Sequence, residues 1–257
     1  MRVIILANNW VGWYLTSWLA KYPGVKIVGL VVHPETKQKY RKEIVEAASL
    51  SSECIFDAPV LRQVATIEKI ASLSADIGLS FYFGYLLKPV FLDLFPLGVV
   101  NLHPSFLPYN KGAYPNVWSI IDDTPAGTTL HYIDSGIDTG KIIAQQALAI
   151  DPKDTGKSLH EKLEKLSVRL FCETWPKIMA NQVQPVPQTL DVGTVHFVKD
   201  VDQIDEIDLE KTYRAKDLVN LLRARTFPPY KGCYFLHEGR KIFIRVQLLE
   251  EEELNNA

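Results

Sequence analysis

The chain has 257 residues, 47% of them hydrophobic, enough for a substantial core, and its 28 Lys and Arg face 30 Asp and Glu. That balance gives no overall positive field for counterion-release binding, so a nucleic acid is not expected as a partner. No segment has about 18 uninterrupted apolar residues, which excludes a membrane-spanning helix by sequence.

In chain order, residues 3–7 form a short apolar strand, a helical stretch follows with Trp13, Leu15, Trp18 and Leu19, and VKIVGLVVH is a second strand. A second cycle runs through CIFDAPV, a helix over 66–72, the strand ADIGLSFYF, a short helix opened by Lys88-Pro89 and the strand GVVNLHP. Strands apolar on both faces that alternate with helices predict an α/β fold with an open, mostly parallel sheet. AGTTLHYI and GKIIAQQALAI then flank a turn-rich DSGIDTG and are expected to pair as a long-looped hairpin. Residues 155–180 have the 3.6-residue spacing of a helix, weakened at its ends by Gly156 and Pro176.

Residues 181–195, with Pro185 and Pro187, read as a linker. The tail beyond it predicts a helix over 215–224, strands in GCYFLHEG and RKIFIRVQLL joined by Glu-Gly, and a frayed acidic end. The expected division is a domain over 1–185 and a small α+β appendage over 186–257. The appendage is near the size limit for folding alone, and its hairpin edge predicts a homodimer. Cys54, Cys172 and Cys233 are odd in number and in no CxxC or Cys/His spacing, so they are expected as reduced packing thiols. The scattered His131, His160, His196 and His237 are expected as surface or hydrogen-bonded residues, and no metal site is expected. MRVIILANNW lacks a signal-peptide h-region, and the expected location is cytoplasmic.

The candidate chemistry lies in VVNLHPSFLPYNKGAYPNVW. Side chains two apart on a strand share a face, so Asn101 and His103 project together near the carboxyl end of GVVNLHP, the edge where open parallel sheets bind ligands. Pro104 ends the strand, and a loop leads to a helix near Pro115. On spacing alone two readings stay open: the pair satisfies loop carbonyls, or it performs chemistry. Asp138 offers a third group on a loop that Gly136 and Gly140 free to approach a ligand. An amide donating to an oxyanion, an imidazole and an orienting carboxylate suit acyl transfer.

NLHPSFLP, the following Gly112 and IDSGIDTGKII resemble the formyltransferases that use 10-formyltetrahydrofolate, over residues 3–150. The resemblance implies a Rossmann-like core and a catalytic set of Asn101, His103 and Asp138, with Asp134 as the alternative carboxylate. It also implies that Ser80, Phe81, Tyr82, Phe83, Gly84, Tyr85 and Leu86 hold the pterin of the one-carbon donor, largely through main-chain groups. RARTFPPYKGCYF is similar to the tail of the sugar formyltransferases, whose acceptors are dTDP-linked 3- or 4-amino dideoxy sugars destined for O-antigen or other surface glycan. For such an acceptor, Phe227, Tyr230 and Trp118 are stacking candidates and Lys111, Arg223, Arg225 and Lys231 phosphate candidates. Asn8, Asn9 and Trp10 are candidates for sugar hydroxyls, since ANNWVG departs from GxGxxG and makes a nicotinamide cofactor unexpected. The rival expectations are a non-catalytic nucleotide-sugar binder and a hydrolase releasing formate from the folate.

Overall fold

The computed structural model describes residues 1–189 and 191–255. The elements run β1 (Arg2–Ala7), α1 (Asn9–Leu19), β2 (Lys26–Val32), α2 (Arg41–Ala48), β3 (Ile55–Asp57), α3 (Val64–Ser72), β4 (Ile77–Phe81), α4 (Pro89–Leu92) and β5 (Val99–His103). They continue with β6 (Lys111–Gly112), α5 (Pro115–Ile121), β7 (Ala126–Tyr132), β8 (Ile142–Leu148), α6 (Gly156–Met179), β9 (Val195–His196), α7 (Ala215–Ala224), β10 (Tyr234–His237), β11 (Arg240–Phe243) and α8 (Glu251–Leu254). Seven strands form one sheet in the order β3-β2-β1-β4-β5-β7-β8. The first five pair in parallel, and β7 runs antiparallel to β5. The expected mostly parallel sheet is present. The expected long-looped hairpin is present as β7 and β8, which pair as neighbours and extend that sheet at its edge.

The chain divides into two compact units: residues 1–103, 129–145 and 165–190 make one, and 104–128, 146–164 and 191–257 the other. The expected boundary at 185/186 does not coincide with this division, because β7, β8 and α6 each run from one unit into the other.

In the first unit, period-two alternation feeds two cores. Val3, Ile5, Leu79, Phe81, Val100, Leu102 and Leu130 face Val11, Leu15 and Leu19 of α1 and Leu170, Phe171 and Trp175 of α6. Ile4, Leu6, Val28 and Val99 face the other way, onto Ile67 and Ile70 of α3 and onto Phe91 and Phe95. The helix α2 was missed by periodicity, since only Ile44 and Ala48 of its eight residues are buried.

In the second unit, Val117, Trp118 and Ile120 of α5 pack with Leu159, Leu163, Val201 and Ala224. The tail hairpin turns at Glu238-Gly239, both with positive φ (48° and 74°), as a two-residue turn of the right twist requires. Its second strand stops at Phe243, short of the expected run. The acidic end is not frayed where described. α8 is held by Lys153, whose Nζ lies 3.2 Å from Glu250 and 3.1 Å from Glu253. No helix among the described residues is long and apolar enough to cross a membrane.

All three cysteines are free, and burial pushes the Cys172 thiol up to about 11 and the Cys233 thiol up to about 12. Both thiols therefore stay protonated at neutral pH and should resist iodoacetamide at pH 8 far longer than free cysteine. Peptide mapping reads this, and fast labelling of either would contradict their placement. Trp175 is fully buried, and its indole N–H has no partner among the described residues. Trp175→Ala should cost ~3–5 kcal/mol in urea unfolding. Trp175→Phe, which removes the unpaired donor and keeps a ring, should lose less than half of that.

Candidate active site

Three adjacent strands place one row of polar side chains on one face of the sheet. Parallel register sets Ser80 of β4 opposite Asn101 of β5, and antiparallel register sets Asn101 opposite His131 of β7. Val100 and Leu102 turn to the other face and are buried there, so Asn101 and His103 are left on the face that buries Val99 at the amino end of the same strand.

The row is hydrogen-bonded throughout. The Ser80 hydroxyl donates to Asn101 Oδ1 (2.8 Å), which orients the amide and turns Nδ2 toward His131 Nε2 (3.1 Å) and Asp138 Oδ1 (3.4 Å). His131 Nδ1 lies 2.8 Å from the Tyr132 carbonyl. A carbonyl only accepts, so Nδ1 carries the proton and Nε2 is the acceptor for Asn101. Asp138 brings the fourth group, its Oδ2 3.6 Å from His103 Nε2 and its Oδ1 3.5 Å from His131 Nε2. All these side chains are largely buried.

His131 is thus one of the hydrogen-bonded histidines that the sequence reading allowed, 1% exposed, and its place inside the cluster was not foreseen. The alternation in TTLHY would have found it, had β7 been read as the antiparallel neighbour of β5. The Ser80 hydroxyl has a role that was not foreseen, since it is buried and bound to Asn101.

The Asp138 loop connects β7 to β8. Its neck is closed by Tyr132 N–H donating to Lys141 O (3.0 Å). Inside it, Asp134 Oδ1 accepts from Gly136 N–H (2.9 Å) and from the Thr139 hydroxyl. Asp134 therefore builds the loop, and Asp138 is the carboxylate beside the imidazoles. A Cβ on Gly140 would lie 1.8 Å from Tyr132 O, which is why only glycine fits there. The segment expected as a linker is ordered against this loop, with Val186 and Ile142 exchanging two backbone bonds of 2.8 Å and Gln188 donating to the carbonyls of Asp138 (2.9 Å) and Gly140 (2.7 Å). Two prolines masked that role, because they remove donors without preventing an isolated bridge.

Beyond β4, Phe81 is in the core, Tyr82 has φ 53° and bonds Ser167 through its hydroxyl, and Phe83 and Tyr85 pack edge-on to His33 at 5.2 and 4.9 Å. Burial pushes His33 below the usual imidazole range, so it sits neutral beneath these rings. Leu86 is 79% exposed, a Cβ on Gly84 would meet nothing closer than 4.0 Å, and among the described residues the backbone of Gly84, Tyr85 and Leu86 forms no hydrogen bond. Open main-chain groups beside apolar rings fit a flat heterocycle that hydrogen-bonds along its edge.

Several acceptor candidates are committed elsewhere. Asn9 Oδ1 accepts from Val11 N–H and Asn8 Oδ1 from Lys39 N–H, so both amides hold backbone, and Trp10 packs on Tyr14 at 5.5 Å. In the second unit, Lys111 is buried in β6, Arg225 makes a two-pronged pair with Asp205, and buried Arg223 donates to the carbonyls of Asp151 and Asp154. Their charges are neutralised or enclosed, which removes the expected phosphate role from both arginines. Trp118 is buried and stacked flat on His196 at 4.1 Å, so that face is taken. Phe227 lies between His160 and Tyr230, while Tyr230 and Lys231 are exposed.

An amide, an imidazole and a carboxylate at the carboxyl end of β5 are groups that suit acyl transfer. Residues 2–175 match the formyl transferase family and residues 200–251 the N-formyltransferase dimerization C-terminal domain; the chain belongs to the formyl transferase family. It is 35% identical over 154 residues to a dTDP-4-amino-4,6-dideoxyglucose formyltransferase of Mycobacterium tuberculosis, covering 60% of this chain and 65% of the relative. Against a longer, bifunctional relative it spans 37% of that protein's length, so it covers less than two thirds of both. A 4-N formyltransferase from Francisella tularensis has a similar structure (TM-score 0.83, 25% identity, 97% of this chain and 98% of that one). The formyltransferase PseJ from Anoxybacillus kamchatkensis, solved with UDP-4,6-dideoxy-4-formamido-L-AltNAc and tetrahydrofolate, is also similar (TM-score 0.55, 29% identity, 79% and 89%).

Gly140→Ala should displace the loop neck and with it Asp138, lowering activity by more than about tenfold while the sheet stays folded. A variant of wild-type activity would show that Asp138 needs no such closure.

Proposed function

We propose that the chain transfers the formyl group of 10-formyltetrahydrofolate to the amine of a nucleotide-linked amino sugar, a dTDP-3- or dTDP-4-amino-dideoxyhexose, giving the N-formylated sugar. The observation that carries this reading is the convergence of Asn101 Nδ2, His103 Nε2 and the Asp138 carboxylate, with separations of 3.4 and 3.6 Å to that carboxylate. The folate is consumed in the reaction and is a co-substrate.

The neutral amine attacks the formyl carbon, and a carbon–nitrogen bond forms as the carbonyl oxygen takes up negative charge. Asn101 N–H and a protonated His103 are the donors for that oxygen, and Asp138 supports the charge on the imidazole. The bond from the formyl carbon to the folate nitrogen then breaks, and the proton lost by the amine reaches that nitrogen through His103, Asp138 or a water. The loop over 82–86 supplies the surface for the pterin, with Phe83, Gly84, Tyr85 and Leu86 contributing main-chain edges and apolar contact. In the second unit Phe227, Tyr230 and Lys231 remain the candidates for nucleotide contact.

The catalytic groups fall within the domain over 1–185, and association is assigned to the tail hairpin of the appendage over 186–257. Exposed Leu236, Ile242 and Phe243 on the tail hairpin, together with the match to a dimerization domain, support a homodimer built there. Free, packing thiols support a reducing, cytoplasmic location, and the product class supports a place in surface-glycan synthesis.

Purified protein incubated with 10-formyltetrahydrofolate and a panel of dTDP-amino sugars should yield a formamide by mass spectrometry. Asn101→Ala and His103→Ala should each lose about 100-fold or more in kcat while unfolding normally, because they act on the transition state. Binding without formamide would make the chain a nucleotide-sugar binder, and formate released without any amine would make it a hydrolase.

A further inference from the structure

Gln188 lies two residues beyond the Val186–Ile142 bridge, and its side chain reaches into the loop that carries Asp138. One amide group supplies both bonds, to the carbonyl of Asp138 at 2.9 Å and to that of Gly140 at 2.7 Å. The amide cannot flip, since Oε1 would then face two carbonyl oxygens. Its Oε1 is buried without a partner among the described residues, so nothing else holds the group by that atom. The residue it grips has φ 51°, a left-handed conformation that aspartate adopts more readily than most side chains and that contacts from outside the loop help to hold. Asparagine is one methylene shorter, and a lysine or arginine would bring a cation beside the carboxylate. Glutamine meets the requirement for two neutral donors in one plane.

We propose that Gln188 is a positioning residue for formyl transfer: by anchoring the peptide carbonyls of Asp138 and Gly140 it sets where the Asp138 carboxylate stands relative to His103 and Asn101. This rests on the formyl-transfer reading of the site. Gln188 touches no reacting atom and acts through Asp138.

The test uses the full chain. Gln188→Met keeps length and volume and removes both donors. Amide hydrogen exchange over residues 136–140 should accelerate about tenfold while β5 keeps its protection. Turnover should fall about 10- to 100-fold with KM for the amino sugar nucleotide within about threefold, and the melting temperature should move little. In an Asp138→Asn background the same change should cost less than about twofold, because the group it positions is gone. Gln188→Glu donates only when protonated, so its activity relative to wild type should rise as pH falls, whereas that of Gln188→Met should not. Equal losses in both backgrounds, or unchanged exchange over 136–140, would overturn the assignment. If the unaltered chain forms no formamide with any acceptor, the transfer reading falls by that result, and exchange alone decides whether Gln188 holds the loop.

Discussion

The register between β4, β5 and β7 is the constraint on which the site depends. A slip of one residue would turn Ser80, Asn101 and His131 to the opposite face of the sheet. Their own hydrogen bonds are too weak to prevent it, at a net ~1 kcal/mol each. The resistance comes from the reverse face, where Phe81, Val100, Leu102 and Leu130 are each no more than 1% exposed. Losing the burial of four such side chains would cost ~1.5–3 kcal/mol apiece. The apolar side of each strand thus sets the position of the polar side, and the polar row needs no strong contacts of its own.

The Asp138 loop is built on the opposite principle. It has no core of its own and is specified by hydrogen bonds: the Tyr132–Lys141 neck, the Asp134 acceptor for Gly136 and Thr139, and the Gln188 amide. Glycines at 136 and 140 are demanded by space, since a Cβ at either would fall within 2.1 Å of a neighbouring oxygen. Such a loop is cheaper to deform than the sheet, and it carries the Asp138 carboxylate. Its contacts of 3.4 to 3.6 Å are long enough to tighten when a substrate arrives.

What the sequence disclosed follows from the range of the interactions concerned. The Asn101–His103 pair, the glycine-flanked Asp138, the α6 periodicity and the Glu238-Gly239 turn are local patterns, and each was readable within a short window. His131 and Gln188 were not, because their roles depend on pairing with segments 30 and 50 residues away. The commitments of Arg225 and Trp118 were hidden for the same reason. Nothing near Arg225 in the chain announces Asp205, 20 residues off, as its partner, and Trp118 looks free until His196 is laid on it. A charged or aromatic residue is legible as a type, but its availability is decided by whichever distant group reaches it first.

The two imidazoles beside Asp138 are similarly placed, at 3.5 and 3.6 Å, yet they are not equivalent. His131 is bound at both ring nitrogens, giving its Nδ1 proton to Tyr132 O and taking Asn101 N–H at Nε2. A second proton on that ring would set donor against donor and would turn the Asn101 amide out of the orientation that Ser80 imposes. His103 Nε2 lies 3.6 Å from the other oxygen of the carboxylate, Oδ2. The Nδ1 proton fixes the His131 ring, and the ring in turn holds the amide that Ser80 orients. One carboxylate thus stands beside both rings and the amide, at separations of 3.4 to 3.6 Å.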